Sequence, residues 1–192
     1  MPPKTKITKE EILSASLEII RESGIESLNA RGIAAKLKCS TQPIFSNFSS
    51  MEELDEEVLK CAEQLYLNRL SEAMKSEKYP KYKSIGVAYI EFAKEEKELF
   101  KVLFMRDRSG EDVNTTPKWL ETVIDIVQQS LGISREEAML FHLENWIFVH
   151  GIAVMIATAY LSYDMDFVSK LISDMYQGLK ARYAHKKEQG EG

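Results

Sequence analysis

The stretch "NARGIAAKLKCSTQPIFSNF", residues 29–48, decides how this chain is read. Asn29 is a good N-cap for a short helix, "ARGIAAKL", whose narrow apolar face is Ile33, Ala34 and Leu37. A second start follows three residues later at Ser40, with Thr41, Gln42 and Pro43 as the first turn, where a missing N–H costs little. Ile44, Phe45 and Phe48 are expected to point inward and clamp this second helix to its own domain. Ser40, Thr41, Gln42, Ser46 and Asn47 are then left facing out. Two short helices joined by such a turn form a helix-turn-helix. A DNA-reading helix needs this division: apolar side chains lock one face, and short hydrogen-bonding groups meet base edges in the major groove. Gln pairs bidentately with adenine, and Thr or Pro can touch a thymine methyl.

Upstream, Thr8-Lys9-Glu10-Glu11 reads as a capping box, with the hydroxyl at N-cap and a carboxylate at N3. Ile12, Ala15, Ser16, Ile19 and Ile20 follow helical spacing, and Gly24 suits a helix end, so a first helix is expected over about Lys9–Ser23. Downstream, Ser50-Met51-Glu52-Glu53 opens a long helix through Leu54, Val58, Cys61, Leu65 and Leu70. "SEKYPKYKS" (76–84) is a polar break. Helices are expected from about Tyr82 to Lys94 and in "EKELFKVLFMR" (96–106), then a loop over 107–116. Thr116-Pro117 starts an amphipathic helix carrying Trp119, Leu120, Val123, Ile124, Val127 and Leu131, ended by Gly132. Ser134 caps a helix to about Ser162, and Asp164 or Asp166 starts a last one with Phe167, Leu171, Met175 and Leu179 inside.

The fold class is therefore all-α: an N-terminal three-helix DNA-binding domain (1–50), a connecting helix four (51–78), a C-terminal helical ligand-binding and dimerisation domain (79–185), and a disordered tail (186–192). Composition agrees. Of 192 residues, 44% are hydrophobic and only 9 are Gly and 5 Pro, which suits one or two compact helical domains. Net charge is −5, which argues against a general nucleic-acid binder. Its distribution points the other way: residues 1–48 hold seven basic side chains (Lys4, Lys6, Lys9, Arg21, Arg31, Lys36, Lys38) against five acidic ones, a net of +2 that leaves −7 beyond. Two cysteines, Cys39 and Cys61, make no C-x-x-C pair, so neither a disulfide framework nor a metal site is indicated, and no cofactor is expected. The start has no apolar run after its lysines, so no secretory signal is read and the cytoplasm is the default compartment.

From Thr8 to about Val58 the chain resembles the N-terminal DNA-binding domain of the tetracycline-repressor (TetR) family. The resemblance rests on Asn29, Arg31, Ile33, Ala34, Leu37, Ser40, Ile44, Phe45, Phe48, Ser50, Glu52, Glu53 and Leu54, in the family's order and spacing. It covers about a quarter of the chain. It implies a ligand-responsive transcriptional regulator, by the family's usual sign a repressor, that binds a palindromic double-stranded DNA operator as a homodimer. It implies that Arg31 contacts a base or phosphate, and that Thr41, Gln42, Pro43, Ser46 and Asn47 stand on contacting positions. With Lys38, Ser40 and Phe45 these make the candidate DNA-binding set. Three positions depart from the family's pattern. Lys38 stands at the turn glycine, Phe45 at the common tyrosine, and Met51 at a common phosphate-binding lysine. Asn47, Ser49, Ser50 and backbone N–H groups are left to hold the backbone without charge, so a shallow salt dependence is expected.

In the C-terminal half, Trp146–Leu161 is apolar except for His150, Gly151 and Thr158. At 16 residues it is short of the roughly 20 needed to span a bilayer, so burial is expected. Small residues there admit a close helix, in line with the family's four-helix dimer interface. His150, Gly151, Val154, Thr158, Phe167, Leu171 and Met175 are the interface candidates. An apolar or aromatic small-molecule effector is implied, with Tyr89, Phe92, Phe104, Trp119, Phe141, His142, Asn145 and Trp146 as pocket candidates and His142, Asn145 and Tyr89 as its polar points. At helical spacing most of these aromatics read first as core, and His150 reads first as a hydrogen-bonded core histidine. No Walker loop, G-x-S-x-G or H-E-x-x-H is present, and His142-Leu143-Glu144 lacks the P-C-x-x-C of a zinc deaminase, so an enzyme is not expected. Two other readings stay open: a DNA-binding regulator governed by a protein partner or by no ligand, and a helical protein that binds no DNA.

Overall fold

The computed structural model describes residues 7–109 and 118–189, with side chains to residue 183. Regular structure among them is helical: α1 (Lys9–Ser23), α2 (Ala30–Lys36), α3 (Gln42–Asn47), α4 (Met51–Lys75), α5 (Lys81–Glu95), α6 (Lys97–Phe104), α7 (Lys118–Leu131), α8 (Arg135–Ala157) and α9 (Met165–Gln189), with a 3-10 turn at Ile25–Ser27. Two compact units result. One holds Met1–Asn68 with Glu95–Arg106; the other holds Arg69–Lys94 with Asp107–Gly192. The all-α expectation holds for the described residues. Thr116-Pro117 and Lys4 and Lys6 lie outside them.

In the first unit α1 begins on the expected box. The Thr8 hydroxyl accepts from the Glu11 N–H at 3.2 Å, and the Glu11 carboxylate accepts from the Thr8 N–H at 2.8 Å. The helix buries Ile12, Ala15, Ser16, Leu17 and Ile20, and Gly24, at φ 79, ends it in a backbone region that L side chains rarely enter. Buried positions on α4 within this unit are Leu54, Val58, Ala62 and Tyr66, a strict i+4 row. Cys61 and Leu65, expected on that row, are half-buried and exposed respectively. Ser50-Met51-Glu52-Glu53 has the sequence of a capping box, and the structure forms half of it. The Glu53 N–H donates to the Ser50 hydroxyl, but the Glu53 carboxylate takes the Ser49 N–H and hydroxyl at 2.7 and 2.6 Å instead of reaching the Ser50 backbone.

Sequence boundaries put α6 in the C-terminal domain, yet it groups with α1. Arg21 grips Glu96 with two charge-assisted bonds of 2.8 and 3.0 Å, and the α6 residues Leu99, Phe100 and Val102 are buried.

In the second unit α5 packs against α8 and α9 at Gly86, where a Cβ would make ordinary contacts with Val149 at 3.5 Å and Ile172 at 3.7 Å. A core of Ile124, Val127, Ile133, Ala138, Phe141, Leu179 and Tyr183 ties α7, α8 and α9. Ser134 forms the full capping box that opens α8. The helix stops at Ala157, short of Ser162, because the Thr158 hydroxyl turns back to the Val154 carbonyl and Ala159 adopts φ 56. Tyr160 and Leu161 then donate to the Met155 carbonyl, which closes the end. Asp164, not Asp166, caps α9, accepting from the Phe167 N–H at 2.7 Å. Its buried row is Val168, Ile172, Leu179 and Tyr183; Phe167 is exposed and Leu171 half-buried, one step off the expected phase. α9 continues to Gln189 instead of ending at 185. Lys, Glu and Gln there are good helix formers and no Gly or Pro intervenes.

Candidate functional site

The Asn29 side chain caps α2 by accepting from the Gly32 N–H at 2.9 Å. Lys38 sits at φ 53, the left-handed conformation expected of a lysine in the turn glycine's place. The Cys39 N–H returns to the Ala34 carbonyl at 2.9 Å, so the turn is closed by the backbone of α2. α3 begins one residue later than expected. Thr41, not Ser40, is its N-cap, makes no side-chain cap bond, and has its carbonyl accepting from both Ile44 and Phe45 N–H groups.

Ile44 and Phe48 are the clamp, at 1% and 2% exposure. Phe45 is not part of it, being 50% exposed. The reason is angular. Residues 44 and 48 are one turn apart and share a face, while 45 is displaced by about 100° on a helix too short to bury a second row. Two polar candidates are already engaged. The Ser46 hydroxyl donates to the Gln42 carbonyl at 2.8 Å. The Asn47 amide donates to the Pro43 carbonyl at 2.8 Å and to the Ile7 carbonyl at 3.4 Å, and the residue is half-buried, not facing freely out. What the head presents is Ser40, Gln42, Phe45 and Ser46, all exposed, with Thr41 and Pro43 partly so.

Charge on this unit is largely internal. Lys36 bridges to Glu18 and Glu22 at 3.1 and 2.9 Å, and Lys9 reaches Glu57 at 3.5 Å while lying 4.9 Å over the Phe48 ring. Arg31 and Lys38 are exposed and make no ion pair among the described residues. Among the described residues of α2 and the turn, they are the charged groups left for a phosphate.

In the second unit α5 and α8 are stitched by two tyrosine–histidine pairs. The Tyr89 hydroxyl lies 2.8 Å from His150 Nδ1, and the Tyr82 hydroxyl 3.2 Å from His142 Nδ1. Tyr82 was not singled out from sequence, and a pairing across 60 positions leaves no local signal. Burial lowers His142 to about 4 and lowers His150 in the same direction, while it raises the Tyr82 hydroxyl. Trp146 stacks on His150 at 5.0 Å. Asn145 is buried and donates to the Phe141 carbonyl at 2.8 Å. Tyr89, Phe92 and Phe141 are buried and Trp119 half-buried. Phe104, expected with them, belongs to the first unit, where it packs edge-on to Tyr66 at 5.1 Å.

α8 has two apolar faces. Ala138, Phe141, Asn145, Val149, Ile152 and Ile156 are buried. Leu140, Leu143 and Ile147 are exposed, Ile147 at 58%. By length and composition this helix could also cross a membrane. Its inner row, packed on α5, α7 and α9, accounts for its apolarity as core. Of the interface candidates, Gly151, Val154 and Thr158 extend the outer face: a Cβ on Gly151 would meet nothing within 4 Å. Phe167 on α9 is exposed. His150 instead turns to Tyr89, and Met175 packs on the core around Phe141. Leu140, Leu143 and Ile147 were missed because a helix apolar all round does not reveal which side is inner.

No family model and no curated protein matches the sequence. Solved structures do. The chain is similar to a TetR-like transcriptional regulator from Rhodococcus sp. RHA1, with TM-score 0.66, 13% identity, and coverage of 91% of this chain and 96% of that one. It is similar to a TetR variant from Acinetobacter baumannii AYE in complex with minocycline, with TM-score 0.54, 16% identity, and 96% and 98% coverage. It is similar to the multidrug binding protein EbrR complexed with imidazole, with TM-score 0.57, 15% identity, and 86% and 93% coverage. The chain has a TetR-like fold along nearly its whole length.

Proposed function

We propose that this protein is a TetR-family transcriptional regulator that binds a palindromic operator as a homodimer and is released by an apolar or aromatic small molecule. The observation that carries the reading is α3: Ile44 and Phe48 hold it by one face while Ser40, Gln42 and Phe45 stand clear on the other. That is the arrangement a base-reading helix requires. The outer face of α8 supports the dimer. Leu140, Leu143 and Ile147 form a one-sided apolar row that a copy of the same helix would cover, and Gly151 offers room for close approach. A two-fold dimer presents two reading heads to two half-sites one turn apart.

The effector role rests on likeness and on chemistry. Two of the similar proteins were solved with minocycline or imidazole bound. Here the second unit supplies aromatic side chains with Tyr82–His142 and Tyr89–His150 as its polar points. Release requires the ligand to bind the DNA-incompetent state more tightly than the competent one. Occupancy of an operator that overlaps a promoter represses it.

The test is a gel shift and footprint on the DNA flanking the protein's own gene, with and without candidate apolar compounds. A protected palindrome that is lost on adding a compound is expected. A purified dimer that binds no duplex overturns the reading.

A further inference from the structure

We infer that Phe45 reads sequence: its ring packs on a thymine 5-methyl group in each operator half-site. The inference rests on the DNA-binding reading and adds to it a specific base and a specific residue. Three observations carry it. The ring is half exposed on the flank of α3, about 100° round from Ile44, with no hydroxyl to offer a phosphate. The donors of the polar side chains after it are engaged, since the Ser46 hydroxyl donates to the Gln42 carbonyl and the Asn47 amide donates to the Pro43 and Ile7 carbonyls, which leaves these two residues only acceptor oxygens to offer. And Gln42, exposed, stands three residues before Phe45, so the two share a face.

A phenyl ring carried into the major groove must lose its water against something apolar. The major-groove edges of the bases offer one such group, the methyl of thymine; the remainder are hydrogen-bond donors and acceptors. Gln42 pairs with adenine through N6 and N7. Three residues of helix rise about 4.5 Å, close to the roughly 3.4 Å step of a strand, so Gln42 and Phe45 address neighbouring base pairs. The half-site therefore contains adjacent A·T pairs, one read by hydrogen bonds and the next by methyl contact. Pro43, partly exposed between them, adds apolar surface to the same contact.

Binding sites are first selected from a random duplex pool with the full-length protein. Each thymine of the selected half-site is then replaced singly by deoxyuridine, which removes only the methyl group. One position should weaken binding about fourfold, and both half-sites together about 15-fold, the loss of one and two buried methyls. Phe45→Ala should weaken binding to the thymine operator by a similar factor and show no further loss on deoxyuridine. Phe45→Tyr keeps the ring and should keep the sensitivity. Half of Phe45 is already in water, so both variants should keep the wild-type helicity and fold, with at most a modest drop in melting temperature for Phe45→Ala. Selected sites without adjacent A·T pairs, no sensitive thymine, or equal sensitivity in Phe45→Ala would each overturn the inference while leaving DNA binding intact. Failure to select any duplex would overturn DNA binding itself, and this inference with it.

Discussion

α3 and α8 carry the two halves of the proposed function, and they are built in opposite ways. α3 has six residues, of which only Ile44 is buried, with the buried Phe48 at its C-cap, and its remaining surface is polar apart from Pro43 and one exposed ring. α8 has 23 residues, apolar on its inner face and again on part of its outer one. In the short helix, function is what the clamp leaves over. In the long one, the proposed function falls to a second apolar row that the core of the unit does not cover. A side chain's role in α3 follows from whether it is tied down; in α8 it follows from which way it points.

That contrast breaks first at the clamp. Phe48→Ala should cost about 4 kcal/mol of stability, the usual loss for a buried phenyl ring, and abolish DNA binding. Phe45→Ala, three residues away and only half buried, should cost clearly less, about 1–2 kcal/mol. Urea unfolding of both variants decides it; equal losses would mean that α3 is held by a broader surface than Ile44 and Phe48. The matching test on α8 is Ile147→Asp. A carboxylate on the outer row should raise the dimer dissociation constant at least about 100-fold, roughly 3 kcal/mol, with helicity unchanged. Sedimentation velocity showing an intact dimer would place the interface elsewhere.

The histidine pairs on the inner side of α8 give a pH test. Desolvation lowers His142 to about 4 from 6.5. The unfolded chain therefore takes up this proton near pH 6.5 and the folded chain only near 4. Stability is full above the first value and falls as pH drops through the window between them; below it the slope from this group vanishes. The loss between about pH 7.5 and pH 4.5 should be about 2–3 kcal/mol. His142→Gln should flatten that part of the profile, measured as urea midpoints against pH. An unchanged slope would show that His142 is not held neutral. His150, less buried and lowered in the same direction, adds a smaller effect of the same sign.

The same contrast explains what was legible in the sequence. Local chemistry was. The Thr8–Glu11 and Ser134–Glu137 boxes, the turn between α2 and α3, and the left-handed Lys38 all depend on residues within a few positions of one another. Phase was legible where apolar and polar residues alternate clearly, as on α1. It failed on α9, where Phe167 and Leu171 compete with Val168 and Ile172, and on α8, where almost every position is apolar. Phe45 was misplaced because hydrophobicity says that a ring prefers burial, not that the clamp has room for it. The Tyr82–His142 pair, the docking of α6 on α1 and the neutralising of Lys36 by Glu18 and Glu22 are tertiary, and no spacing rule announces them.

The smallest effect concerns how the reading head holds the DNA backbone. Arg31 and Lys38 are its exposed, unpaired cations among the described residues, whereas Lys9 and Lys36 are already bound to carboxylates. Two ion contacts per subunit give a dimer a log K against log salt slope of about −4, since each neutralised phosphate contributes about −0.9. Met51→Lys, at the first residue of α4, should steepen it by about 0.9 per subunit while leaving base preference unchanged. A wild-type slope steeper than about −7 would mean that further cations meet the duplex, either Lys4 and Lys6 or Lys9 and Lys36 after leaving Glu57, Glu18 and Glu22. The head would then grip by charge, as the polar face of a longer helix could, and Phe45 and Gln42 would no longer have to carry so much of the binding.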